Sequence, residues 1–194
     1  MTDKHIQNTQ AVYEQYLILR IQTGETAALN DLVERWQGKF VRVAWIMCRD
    51  QQLALDAVQE AWIAIVKSLP DLRDPARFRP WAFRIVNNKC LDLIRKRQSV
   101  DAPLDSLEPD SEDVGQRQMS ETNDISRLEN QEIVTRTLSR LPEASRVVLA
   151  LHYLEDMGIE EISQALGLPA GTVKSRLHNG REAFRVHFSD MKNR

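Results

Sequence analysis

The stretch SVDAPLDSLEPDSEDVGQRQMSETND, beginning at Ser99, constrains the fold more than any other part of the chain. Residues 99–125 hold 8 acidic side chains and 1 basic one, with two prolines and few large apolar residues. Such a segment buries too little surface to offset the entropy of ordering it. It reads as a flexible acidic linker, so the chain on either side must fold as two small bodies. With 194 residues in all, each body has fewer than 100, enough for a small domain. Composition alone leaves two readings of the linker open: a solvated tether, or a negative strip that mimics or displaces nucleic acid in a basic groove.

Both flanks read as helix. Glycine and proline number 7 each, too few for the turns of an all-β sandwich. Residues Val12 to Thr23 place Val12, Tyr16 and Leu19 near one helical face, with Ile21 close by, and Gly24 stops the helix. From Ala27 to Arg49, Leu32, Val33, Trp36, Phe40, Val43, Ala44 and Met47 recur at three- and four-residue steps, the stripe of a core-facing helix. Leu53 to Leu69 repeats the pattern through Ala57, Ala61, Ile65 and Ser68, and Pro70 ends it. PDLRDPARF is a loop. Arg79 to Arg97 returns to helix, with Trp81 or Phe83, Ile85, Cys90, and Leu93 or Ile94 inward. Beyond the linker, a helix is expected over Ile125 to Leu141, and another opens at Pro142 and runs to Leu154. IEEISQAL follows Gly158 with Ile159, Ile162 and Leu166 on one face. After Gly167-Leu168-Pro169, a last helix carries Val173, Leu177, Gly180, Phe184 and Phe188. Short helix, glycine turn and longer basic helix is the order of a helix-turn-helix.

The net charge of -2 conceals a sharp division. Residues 26–98 carry 13 basic and 8 acidic groups, and within them Leu72 to Arg97 carries 8 and 2. The end of the chain, Ala170 to Arg194, carries 6 and 2. Two basic segments thus flank an acidic one, a distribution suited to nucleic acid. In the final helix Thr172, Lys174, Ser175, Arg176, His178, Asn179 and Arg181 offer guanine-, adenine- and phosphate-binding chemistry at the end that enters a major groove. In the other segment Phe78, Trp81 and Phe83 are interleaved with Arg73, Arg77, Arg79 and Arg84, and cations beside aromatic rings suit unstacked single strands. The competing reading places each aromatic in the core.

Other functions find little support. No phosphate-binding glycine loop, nucleophile elbow or zinc-protease string occurs, so neither catalysis nor a cofactor is expected. Cys48 and Cys90 read as buried free thiols, ahead of a disulfide, and the four histidines make no metal cluster with them. The longest apolar runs fall well short of the roughly 18 residues of a membrane span, and the N-terminus lacks the pattern of an export signal. A cytoplasmic protein without membrane insertion is the expectation.

Three segments together resemble the sigma-70-type RNA polymerase sigma factors of the extracytoplasmic-function (ECF) group. DAVQEAWIAIV at Asp56 to Val66 is similar to the family's core-polymerase-binding helix. FRPWAFRIVNNKCLDLIRKRQ at Phe78 to Gln98 resembles its minus-10-reading and melting helix. LPEASRVVLALHYLEDMGIEEISQALGLPAGTVKSRLHNGREAF at Leu141 to Phe184 resembles its minus-35-binding domain. The resemblance implies an all-α protein with a core-binding and minus-10 domain at 11–98, the linker at 99–125 and a helix-turn-helix domain at 126–190. It implies a non-catalytic subunit whose partners are core RNA polymerase, promoter DNA both duplex and single-stranded, and an anti-sigma factor. By the same likeness Asp56, Gln59, Glu60 and Trp62 contact polymerase. Arg73, Arg77, Phe78, Trp81, Arg84, Asn88, Lys89 and Arg95 serve the minus-10 element, and the acidic linker runs through the polymerase channel near the RNA path. The chain departs from the family at Asn179-Gly180, where a basic residue and alanine are commoner, and at Ala57, where a larger apolar residue is usual. The alternative is a stand-alone helix-turn-helix regulator; an RNA-binding adaptor has less need of that motif.

Overall fold

Trp36 is the hub around which the first half packs. The structure, a computed structural model, describes residues 2–100 and 141–192. The first half holds α1 (Thr2–Gln22), α2 (Ala27–Cys48), α3 (Gln51–Ser68) and α4 (Phe78–Val100). The second holds α5 (Glu143–Tyr153), α6 (Ile159–Leu166) and α7 (Ala170–Lys192). No strand occurs among the described residues. Of the linker expected at 99–125, Ser99 and Val100 instead belong to α4 and residues 101–125 lie outside the described residues, as does the helix expected over Ile125 to Leu141 except for Leu141 itself.

The stripe read on α2 is the core face: Leu32, Trp36, Phe40, Val43, Ala44 and Met47 are buried, with Val33 at its edge. The Trp36 ring lies 5.4 Å from Phe40, and edge-on to Phe78 at 5.3 Å and Phe83 at 5.9 Å. Edge-to-face contacts of this kind add about 0.5–1.5 kcal/mol each beyond area burial. On α3 the buried residues are Ala54, Ala57, Val58, Ala61 and Ile65, so the small Ala57 sits in the core. The Asp50 carboxylate accepts from the Leu53 amide at 2.9 Å, capping α3, and also pairs with Arg97 of α4 at 2.5 Å. These bonds hold its carboxyl below the usual range.

Two expectations change. On α1 the Val12, Tyr16 and Leu19 face is exposed, and Leu17 and Ile18 are the buried pair. Both sides of this helix are apolar enough to serve, and cation contacts mark the outer one: Arg20 lies over Tyr16 and Arg35 over Tyr13. The segment expected as a plain loop before α4 instead forms two 3-10 turns, Leu69–Asp71 and Pro75–Arg77. Gln22 of α1 donates to the Leu69 and Leu72 carbonyls at 3.0 and 2.8 Å, fastening the first turn to the body. Cys48 and Cys90 are free thiols in hydrogen-bond contact with each other, and this bond together with burial pushes the Cys90 thiol up.

The two halves are packed together. α6 lies against α4, α5 lies against α2, and one apolar core runs through both halves. At the seam the Glu155 carboxylate, its side chain 2% exposed, pairs with Arg42 of α2 at 2.5 Å. Arg42 also donates to the Leu154 carbonyl at 3.2 Å. Burial pushes the Glu155 carboxyl up, against the pull of Arg42, Lys39 and Arg79.

Gly180 marks where α7 crosses α5. A Cβ there would lie 2.8 Å from Leu149 Cδ1 and 3.1 Å from Ser145 Cβ, so this departure from the family pattern answers to packing. Gly180→Val should therefore destabilise the protein by about 1–3 kcal/mol in chemical denaturation despite valine's better helix propensity. For Glu155 the raised pKa fixes a sign. The linked stability is fully present below the ordinary glutamate pKa, and it is lost as pH rises through the raised one. Glu155→Gln keeps the neutral form at every pH. Its stability relative to the natural protein should thus increase from pH 4 to pH 7, as read by urea midpoints.

Candidate nucleic-acid interface

α4 has one outward stripe, and the aromatic cluster sets its direction. With Ala82, Phe83, Val86, Asn87 and Cys90 buried, Trp81, Arg84, Asn88 and Arg95 fall on the opposite side at steps of three, four and seven residues. Arg84, Asn88 and Arg95 are exposed, and Trp81 is half-buried. Arg73 and Arg77 are exposed in the segment just before. The Asp74 side chain shapes that segment, accepting from the Ala76 amide at 3.0 Å and pairing with Arg77 at 3.4 Å.

Of the three aromatics, only Trp81 reaches the surface. Phe78 is 2% exposed and its ring backs Trp81 at 5.9 Å, while Phe83 packs edge-on to Phe40 at 5.3 Å. Phe78 is therefore a support beneath Trp81, unable to stack on a base itself. Lys89 also leaves the stripe: it is half-buried and reaches across to Glu60 of α3 at 3.1 Å. What remains is one indole flanked by guanidiniums and an amide, a surface able to stack a base and hold phosphate.

The outer side of α3 is different in kind. Gln59 and Glu60 are exposed, and Asp56 accepts from Gln52 at 3.0 Å. Trp62 turns inward, its ring packed at a tilt 5.2 Å from Phe40 and its indole N–H donating to Gln37 Oε1 at 2.5 Å. Three apolar residues that the sequence reading passed over line up with Gln59 instead: Leu55, Ile63 and Val66, with Ile63 65% exposed. Their spacing from Leu55 through Gln59 and Ile63 to Val66 is helical and was readable, but the stronger alanine stripe on the other side of α3 drew the assignment. An apolar strip rimmed by carboxylates suits a protein surface more than a phosphate backbone.

In the second half, α6 begins at Gly158, whose amide donates to Glu161 at 2.8 Å, and ends at Gly167 in the left-handed region with φ of 65°. Val173 and Leu177 are buried, seating α7 against α5 and α6. The candidate residues then divide between two flanks. Lys174, His178 and Arg181 share one, extended by Arg185; Thr172, Arg176 and Asn179 share the other, with Ser175 between. Lys174, Ser175, His178, Asn179 and Arg181 are exposed, whereas Thr172 and Arg176 are half-buried. The Ser175 hydroxyl donates back to the Thr172 carbonyl at 3.0 Å.

Arg181 is held from α5. Its Nε donates to the Tyr153 hydroxyl at 2.7 Å, and its Nη2 lies 3.3 Å from His152 Nε2. His152 Nδ1 lies 2.9 Å from the Met157 carbonyl, which only accepts, so Nδ1 bears the proton and Nε2 is free to accept from Arg181. His152, Tyr153 and Arg185 were not among the residues read from the sequence. Tyr153, 56% exposed among apolar neighbours, had no signal there beyond its place next to the helix end.

No group able to hold a metal ion occurs among the described residues, and no helix among them is long and apolar enough to cross a membrane.

Both halves of the chain match known proteins. The model of sigma-70 region 2 matches residues 32–100, and that of sigma-70 region 4 matches residues 131–184. The ECF RNA polymerase sigma factor SigW of Bacillus subtilis (strain 168) is 29% identical over 90% of this chain and 96% of its own. The ECF RNA polymerase sigma-E factor of Escherichia coli (strain K12) is 31% identical over 88% and 91%. Among solved structures, CnrH in complex with the cytosolic domain of CnrY superposes with a TM-score of 0.63 at 26% identity, covering 91% of this chain and 97% of that one. The sigma factor RpoE, in complex with the anti-sigma factor NepR from Bartonella quintana, shares the fold with a TM-score of 0.62 at 17% identity, covering 83% of this chain and 96% of that one. With two region models together matching more than half of its length and a relative above 30% identity aligned almost end to end, the chain belongs to the ECF sigma factors of the sigma-70 family.

Proposed function

We propose that this chain is the promoter-specificity subunit of a bacterial RNA polymerase, with three surfaces of distinct chemistry serving three contacts. The observation that carries this reading is their coexistence in one chain: the apolar strip of α3, the Trp81 stripe of α4 and the basic flank of α7. The α3 strip, Leu55, Gln59, Ile63 and Val66 with Asp56 and Glu60 beside it, docks on core polymerase. Trp62 supports it from beneath.

On α4, Trp81 takes an unstacked base of the non-template strand. Arg73, Arg77, Arg84 and Arg95 hold phosphates, and Asn88 reads an exposed base edge. This capture offsets an unpairing and unstacking cost of a few kcal/mol. On α7, Arg176, Asn179 and Thr172 face one groove wall, and Lys174, His178 and Arg181 the other, with Arg181 aimed by Tyr153 and His152. The protein supplies binding and orientation and no covalent chemistry, so it acts as an initiation factor and not as an enzyme. An anti-sigma factor is its expected regulator, as for the RpoE structure solved with NepR. Its site of action is the cytoplasm, where the polymerase works. A stand-alone regulator would use α7 alone and leave the α3 strip and α4 stripe without a purpose.

Run-off transcription on pooled genomic fragments, with core polymerase alone and with this protein added, tests the reading. New transcripts that require the protein are expected. Ile63→Asp should abolish most of them while leaving the helical circular dichroism intact. Trp81→Ala should leave upstream duplex binding within twofold and cut permanganate reactivity of minus-10 thymines tenfold or more. Equal losses in both assays would assign Trp81 to folding alone.

A further inference from the structure

Cys48 and Cys90 are the two cysteines of the chain, and none of the contacts assigned above uses either. Cys48 is the last residue of α2, and Cys90 lies midway along α4 with none of its surface exposed. Their thiols meet where these two helices pack, in hydrogen-bond contact with each other. A noncovalent tie beside them holds that register. Just beyond Cys48, Asp50 pairs at 2.5 Å with Arg97, which lies on α4 about two helical turns after Cys90. Asp50 also caps α3 through the Leu53 amide, so the end of α2 is fastened to both neighbouring helices.

The two thiols differ in access. Cys48 is half-buried and lines a cavity of about 550 Å³ with Met47, Arg49, Ile94, Glu143 and Arg146, whereas Cys90 is not in the cavity wall. They also differ in acidity. The hydrogen bond from Cys90 holds the Cys48 thiol below the ordinary cysteine value, against burial and the nearby Asp50 and Glu143 carboxylates. The same bond and burial push the Cys90 thiol up. A more acidic thiol within reach of solvent, touching a less acidic one buried behind it, is the division between an attacking and a resolving cysteine.

We propose that Cys48 and Cys90 form a reversible oxidation site, in which hydrogen peroxide entering the cavity oxidises Cys48 and Cys90 resolves the product as an intramolecular disulfide between α2 and α4. The Cys48 thiolate attacks one peroxide oxygen, the O–O bond breaks, and the peroxide is reduced by two electrons as Cys48 becomes a sulfenic acid. The departing hydroxide combines with the proton lost from Cys48 as water. The Cys90 sulfur then attacks the Cys48 sulfur, the S–O bond breaks, and the Cys90 proton leaves with the hydroxyl as a second water. One peroxide and two thiols thus give one disulfide and two waters. The bond encloses α3 and the two 3-10 turns in a covalent loop. This inference does not rest on the promoter reading of α4 and α7.

Hydrogen peroxide added to the folded, full-length protein, followed by thiol titration and peptide mapping without reductant, tests it. Both thiols should disappear together, the Cys48 and Cys90 peptides should be joined within one chain, and dithiothreitol should restore both. Cys90→Ser removes the resolving thiol, so labelling of Cys48 by dimedone, which traps sulfenic acids, should rise severalfold over the natural protein. Cys48→Ser should leave Cys90 unmodified. A crosslink formed only between chains, thiols that survive peroxide in the folded protein and are lost in urea, or a sulfenic acid that accumulates on the natural protein would each overturn the proposal. If circular dichroism shows Cys90→Ser unfolded, Cys90→Ala makes the same comparison, and the mapping of the natural protein decides the pairing without either variant.

Discussion

The packing of Phe40, Phe78 and Phe83 around Trp36 is the constraint on which the rest of the structure depends. Phe78 and Phe83 lie on α4, so their insertion beside Trp36 and Phe40 of α2 fixes the rotation of α4 about its own axis. A helix has only one degree of freedom of that kind, and once it is set, every outward residue is set with it. Arg84, Asn88 and Arg95 face solvent because Phe83, Val86 and Cys90 do not. The same cluster props Trp81 at the surface by placing Phe78 behind it, and it receives Trp62 from α3 against Phe40. A core of aromatic rings thus determines which charges a nucleic acid can meet.

Electrostatics enters at the seam, where its role is selective. A buried ion pair adds little net stability, because desolvation of both charges cancels most of their attraction. Its effect lies in what it forbids: Glu155 without Arg42 is far worse than either the pair or a neutral substitute.

Helix periodicity made most of the architecture legible, because long amphipathic stripes such as that of α2 leave one solution. It failed where two faces competed. α1 offers Val12, Tyr16 and Leu19 on one side and Leu17 and Ile18 on the other, and only the shape of the core decides between them. α3 is similar: its alanine face was evident, and the exposed line of Leu55, Ile63 and Val66 was not, since an apolar residue without a partner looks like any other in a string of letters. The aromatics of α4 were recognised as a group but could not be divided into Phe83 inside, Phe78 beneath and Trp81 above. Ion pairs between distant segments, Arg42 with Glu155 or Lys89 with Glu60, have no local signature at all. The family resemblance names surfaces on three helices, and the structure distinguishes the side chains on them that are exposed from those buried beneath.

The central claim is that the exposed strip of α3, the Trp81 stripe of α4 and the basic flank of α7 act together in one polymerase subunit. Footprinting of core polymerase on a promoter fragment, with and without this protein, tests it directly. The account predicts protection that covers both the minus-35 and the minus-10 element only when the protein and core polymerase are both present. Protection of a single element, or the same protection by the protein without polymerase, would contradict it.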